Sequence, residues 1–227
     1  MIKFDLQLHN GLPIITDKLG NKLLLDTGSP SSFCETSQID IFGDPIRTPR
    51  NLMGQVNAEY LISNLKIHLD GLLGLDILKM KSFSINYQEL AFTILDEMPL
   101  RNDLHRFPDS SFFKIPVQAT GNNINLILDT GAHISYLNPE FVNVDTLNLR
   151  KTTDFNPILG NFEVSLVDHF SYAINEIQLD HEIGLAPSNL ANMLRQMSVA
   201  GVFGYELFKV MDFYYLKEEN TIALSLH

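Results

Sequence analysis

Cysteine is nearly missing from this 227-residue chain: Cys34 is alone, so no intramolecular disulfide can form. Such usage fits a reducing compartment, and a cytoplasmic location is expected. Charge is also sparse, at 19 % of residues, yet 45 % are hydrophobic, too apolar a balance for a disordered chain. Positive charge is the scarcer sign. The net charge of −11 disfavours a nucleic-acid backbone or an anionic membrane as partner. No apolar run is long enough to span a membrane. The start, Met1-Ile2-Lys3-Phe4-Asp5, lacks the basic and apolar regions of a secretory signal. Nothing before Phe4 reads as a pro-segment, so expression in active form is expected. His181-Glu182 begins a zinc-helix pattern, but Leu185 stands where the second histidine belongs. No metal and no cofactor are expected.

What is present is a repeat. Leu23-Leu24-Leu25-Asp26-Thr27-Gly28-Ser29 recurs as Leu126-Ile127-Leu128-Asp129-Thr130-Gly131-Ala132, an offset of 129 − 26 = 103 residues. Gly71-Leu72-Leu73-Gly74-Leu75-Asp76-Ile77-Leu78-Lys79 recurs as Gly201-Val202-Phe203-Gly204-Tyr205-Glu206-Leu207-Phe208-Lys209. The second register runs on without a gap to Phe83 against Phe213 and Ile94 against Leu224. Two matches in the same order indicate a tandem duplication. Between its motifs the second half carries 72 − 45 = 27 extra residues.

Short alternating runs bounded by Gly, Asn and Pro predict a mainly β protein with few short helices. Strands are expected at Phe4–Leu8, Leu65–Leu69, Phe162–Leu166, Phe92–Ile94 and Thr221–Leu224. Part of the excess in the second half reads as a packing helix. It would start at Pro187-Ser188-Asn189 and run through Leu190, Met193, Leu194 and Met197. The expected organisation is two pseudo-symmetric β lobes with a cleft between them. They comprise residues 1–98 and 112–227, joined by a polar linker over 99–111.

A single Asp-Thr-Gly is usually a turn. Here each copy follows three apolar residues, which puts each Asp at the end of a buried strand, where an unpartnered carboxylate is costly. A twofold axis bringing Asp26 and Asp129 together explains both costs. Two carboxylates in contact share one proton. The ionised member can then act as general base on a water, and the protonated member as general acid on a carbonyl. Gly28 and Gly131 would let backbone amides approach the carboxylates. Thr27 and Thr130 would hydrogen-bond across the axis. Ser29 could provide a hydroxyl donor to the carboxylate, which Ala132 cannot. Cys34 reads as a small core residue. His133 reads as a partly buried residue near the second loop, or as one reaching the cleft.

Asp-Thr-Gly-Ser/Ala followed by Leu72-Leu73-Gly74 or Val202-Phe203-Gly204 resembles the aspartic peptidases. The form of Gly71–Leu78 is most similar to the retropepsin group. The resemblance covers nearly the whole chain and implies two such lobes fused in one chain, as in the pepsin type but smaller. It implies an aspartic endopeptidase, catalytic through Asp26 and Asp129, acting as a monomer on extended polypeptide. In the family a hydroxyl after the motif goes with strongly acid-active enzymes and alanine with enzymes active nearer neutrality, so Ser29 with Ala132 implies a mildly acidic optimum, about pH 5 to 6. It also implies β-hairpin flaps, with Met53-Gly54 and Leu159-Gly160 as candidates. No tyrosine adjoins Gly54, unlike the pepsin-type flap. Two other readings stand beside this one: a catalytically silent peptide-binding protein of the same fold, and a scaffold role. Retention of both aspartates disfavours each of them.

Overall fold

The computed structural model describes residues 1–97, 101–142 and 149–227. It is mainly β, with four short helices among these residues: α1 (Ala58–Leu65), α2 (Leu75–Leu78), α3 (Ser188–Gln196) and α4 (Tyr205–Phe208). None is long and apolar enough to cross a membrane.

The duplication is written into the strand registers. In the first half, Lys22–Leu25 runs parallel to Gly71–Leu73, with Leu23 opposite Gly71 and Leu25 opposite Leu73. In the second half, Leu126 lies opposite Gly201 and Leu128 opposite Phe203. A short strand flanks each pair on the far side, Phe33–Cys34 in one and Tyr136–Leu137 in the other. All three strands are apolar because they are covered on both faces.

A six-stranded sheet joins the halves. Its order is Ile2–Asp5, Ala91–Ile94, Phe83–Asn86, Met211–Leu216, Thr221–Leu226 and His105–Pro108. The central antiparallel pair sets Ser84 opposite Tyr214. Those two residues are repeat equivalents, since 214 − 84 = 130, the offset of Gly201 from Gly71. A residue paired with its own repeat lies on a local twofold axis. Around that axis Phe83 meets Phe213 edge-on at 5.7 Å, and Phe113 packs against both. One apolar cluster therefore runs through both halves, from Phe4 to Leu224.

Three expectations need correction. Leu65–Leu69 is not a strand. Asn57 caps α1 by accepting the Tyr60 N–H at 2.8 Å, and the helix ends at Lys66 in the left-handed region. Leu69 is still buried beyond it, but the segment pairs with no strand among the described residues, because its first residue belongs to the helix and Lys66 turns the chain out of extended geometry. Phe4–Leu8 splits at Leu6, so that Ile2–Asp5 enters the six-stranded sheet and Gln7–His9 the first-half sheet. The expected linker is only partly loop. Its residues 99 and 100 lie outside the described ones, but His105–Pro108 pairs with Thr221–Leu224 as an edge strand. Asp109 accepts from Lys79 Nζ at 2.8 Å, and Arg101 meets buried Asp212 at 2.9 Å. The polar character of this stretch anchors it to both halves.

The 27 extra residues of the second half form α3 and lengthen a meander of Leu149–Asn156, Gly160–Ile174 and Ile177–Leu185. Helix α3 begins after Pro187 as expected and buries Leu190, Ala191 and Leu194. Short polar-apolar runs revealed one piece of the meander, Phe162–Leu166. They did not reveal that it is continuous over 15 residues.

Candidate active site

Each Asp-Thr-Gly loop begins where its strand ends. Asp26 N–H donates to the Leu73 carbonyl at 3.0 Å, and Asp129 N–H to the Phe203 carbonyl at 2.9 Å. Gly74 N–H donates to Ser32 Oγ at 2.8 Å, and Gly204 N–H to Ser135 Oγ at 2.9 Å. These bonds tie the loop of each half to its own Gly motif. Ser32 and Ser135 were not singled out in the sequence. The signal was available, since Ser32-Phe33 and Ser135-Tyr136 keep the offset of 135 − 32 = 103.

The two loops interlock through buried threonines. Thr27 Oγ1 donates to the Leu128 carbonyl at 2.8 Å and accepts the Thr130 N–H at 2.9 Å. Thr130 Oγ1 donates to the Leu25 carbonyl at 2.7 Å and accepts the Thr27 N–H at 3.1 Å. Both side chains are fully buried, so each hydroxyl satisfies two backbone groups with no water to replace it.

The carboxyl groups of Asp26 and Asp129 face one another, each lying against the glycine of the other's loop. Glycine is required on both sides of this contact. A Cβ on Gly28 would lie 2.2 Å from Asp129 Cγ, and one on Gly131 would lie 2.4 Å from Asp26 Cγ. Gly28 and Ser29 N–H each donate to Asp26 Oδ1 at 2.9 Å, and Gly131 N–H donates to Asp129 Oδ1 at 2.8 Å.

Burial pushes both carboxyls up from the ordinary range. Asp129 is raised furthest, because the charge of Asp26 adds to burial. Its own bond to Asp129 and the amides of Gly28 and Ser29 hold Asp26 down in part. Two buried carboxyls this close do not both ionise readily, so the pair is set to hold one proton between them. The Ser29 hydroxyl plays no part in this, as it donates to the Ser31 carbonyl at 2.9 Å. Its expected role as a donor to the carboxylate is corrected: the backbone amide of Ser29 reaches Asp26 instead. Ala132, its counterpart, lies in the same cleft wall.

The pair sits in a cleft of about 340 Å³. Leu12, Leu24, Leu61 and Leu72 line one side, and Phe162, Leu190 and Val202 the other. Two turns overhang it, and they are unlike each other. In the second half Leu149–Asn156 and Gly160–Ile174 make a long hairpin, whose turn is closed by Asn156 Oδ1 accepting from Ile158 and Leu159 N–H. In the first half Met53-Gly54 sits in a turn held by one bridge, Leu52 to Val56, and α1 follows at once. Two equal flaps are therefore not present. Met53 and Ile158 are the exposed tips, at 83 % and 61 %. Leu159 turns inward against the Leu190 cluster, and Gly160 opens the return strand with a positive φ.

Tyr60 of α1 was not foreseen. Its hydroxyl donates to the Pro157 carbonyl at 3.3 Å and its ring meets Phe155 at 5.7 Å, so it joins the two overhanging elements. His133 is exposed rather than partly buried; it lines the cleft and bonds the Asn10 carbonyl. Cys34 is fully buried in the core, with Sγ 3.3 Å from Thr36 Oγ1. No cluster of three His, Cys, Asp or Glu residues is arranged for a metal among the described residues. No family model matches the sequence and no curated protein matches it, so the reading of this site rests on its own geometry.

Proposed function

We propose that the chain is an aspartic endopeptidase, similar to the retropepsins, with two lobes (1–98 and 112–227) fused through residues 99–111. The observation that carries this reading is the facing of Asp26 and Asp129 in an apolar cleft, where burial raises both carboxyls so that the pair has one proton to share. Such a pair supplies a base and an acid at the same place, the arrangement the aspartic proteases use. A water between the carboxyls loses a proton to Asp26 as its oxygen attacks the peptide carbonyl carbon. Asp129 gives its proton to the carbonyl oxygen. The tetrahedral diol then collapses: the C–N bond breaks, Asp26 returns a proton to the leaving nitrogen, and a diol hydroxyl restores the proton of Asp129. Protons and electrons balance, and both carboxyls end as they began.

The cleft suits an extended polypeptide, because apolar walls take side chains on either side while the overhanging turns cover the backbone. The site is complete within one chain, so the working form is a monomer, and a cytoplasmic setting accords with the lone buried thiol. The raised carboxyls favour activity above the ordinary carboxylate range, in keeping with a mildly acidic optimum. Incubation with a diverse peptide library tests the reading. Wild type should cut, and Asp26→Asn and Asp129→Asn should each lose at least about 100-fold in kcat/KM. Peptides bound but uncut by wild type would leave a peptide-binding protein in its place.

A further inference from the structure

The two walls of the cleft differ in charge. The first-half wall is apolar, from Leu12, Leu24, Leu61 and Leu72. The second-half wall carries a third carboxylate, Asp154, near the end of the strand Leu149–Asn156. Tyr136 donates its hydroxyl to Asp154 Oδ2, which pins the carboxylate in the cleft. No Lys or Arg lines the cleft, and no cation pairs with Asp154 among the described residues. Apart from the catalytic pair, His133 is the only other titratable group of the lining besides Tyr136. Asp154 is half-buried and its one recorded side-chain partner, Tyr136, is neutral, so a cationic group entering the cleft meets a carboxylate with no competing counter-charge.

We propose that this wall is a specificity subsite for a lysine or arginine side chain of the substrate. The long aliphatic stem lies along Phe162, Leu190 and Val202, and the cation reaches Asp154. Lysine and arginine suit such a place because their stems are apolar and only the tip needs a charged partner. The opposite wall offers no carboxylate and takes apolar side chains. The substrate class is thus a polypeptide in which a basic residue lies on one side of the cut and an apolar residue on the other. This rests on the peptidase reading for its account of cutting, but the charge preference is a property of the cleft.

The test uses an apolar peptide in which lysine, norleucine or glutamate is placed at each position in turn. Norleucine keeps the stem and removes the charge. At one position wild type should favour lysine over norleucine by about tenfold or more in kcat/KM, and disfavour glutamate. In Asp154→Asn, where the amide can still accept the Tyr136 hydroxyl, the lysine to norleucine ratio should collapse toward one. A wild-type ratio near one at every position overturns the proposal without any variant. A ratio that survives in Asp154→Asn also overturns it. If no peptide is cut, the peptidase reading fails by itself, and the Kd ratio for the same peptides, read by fluorescence anisotropy, decides the subsite in the same way.

Discussion

Asp129 holds its proton at a pH where a free carboxyl would have lost it, and this has a thermodynamic consequence. Folding raises its pKa through burial and the charge of Asp26. The unfolded chain releases that proton above an ordinary carboxyl pKa of about 3.9, while the folded chain keeps it. This contribution to stability is therefore complete below that pH and declines as pH rises through the raised value. Asn at 129 cannot ionise, so Asp129→Asn removes the decline. The melting temperature of the variant minus that of wild type should become more positive as pH is raised from about 4 into the neutral range. A difference that is flat or falls with pH would show that Asp129 is not held protonated. Glycines 28 and 131 belong to the same account, because any Cβ there would push the carboxyls apart and dissolve the shared proton.

The threonine interlock is what places two loops, 103 residues apart, within hydrogen-bonding reach. Thr27→Val keeps the shape and removes the hydroxyl, orphaning the Leu128 carbonyl and the Thr130 N–H in a fully buried place. Each orphaned group costs about 1–3 kcal/mol, so the variant should lose about 2 kcal/mol or more. Urea unfolding checks this: the midpoint should fall with an unchanged slope. Thr27→Ser, which keeps the hydroxyl, should lose much less. Equal losses in the two variants would trace the effect to the methyl group and not to the interlock.

At the scale of the molecule, the six-stranded sheet takes three strands from the first half, two from the second and one, His105–Pro108, from the stretch between them, and its central pair joins Phe83–Asn86 to Met211–Leu216. The two carboxyls thus meet because one chain supplies both sides of the axis. Under the proposed function, activity per chain should stay constant on dilution through the range where light scattering reports a single 25.7 kDa species. A specific activity that falls on dilution would mean that a second copy completes the site.

How much was legible beforehand depended on how each feature is encoded. The Asp26–Asp129 pair and the threonine bonds follow from a repeat with two fixed offsets, because duplication carries register and burial together. Helix α3 was readable because its apolar residues recur at helical spacing after Pro187. The alternation of Leu65, Ile67 and Leu69 misled, since burial with a period of two does not by itself provide a partner strand, and Asn57 had already started a helix. The edge strand His105–Pro108 was hidden in a polar stretch because an edge needs only one neighbour and tolerates proline. Tyr60 against Pro157 and Asp154 facing the cleft were beyond any local reading. The sequence determined by itself which residues repeat and hence which carboxyls pair. Tertiary structure alone decided how the walls around that pair differ, because those contacts join residues far apart in the chain that no repeat relates.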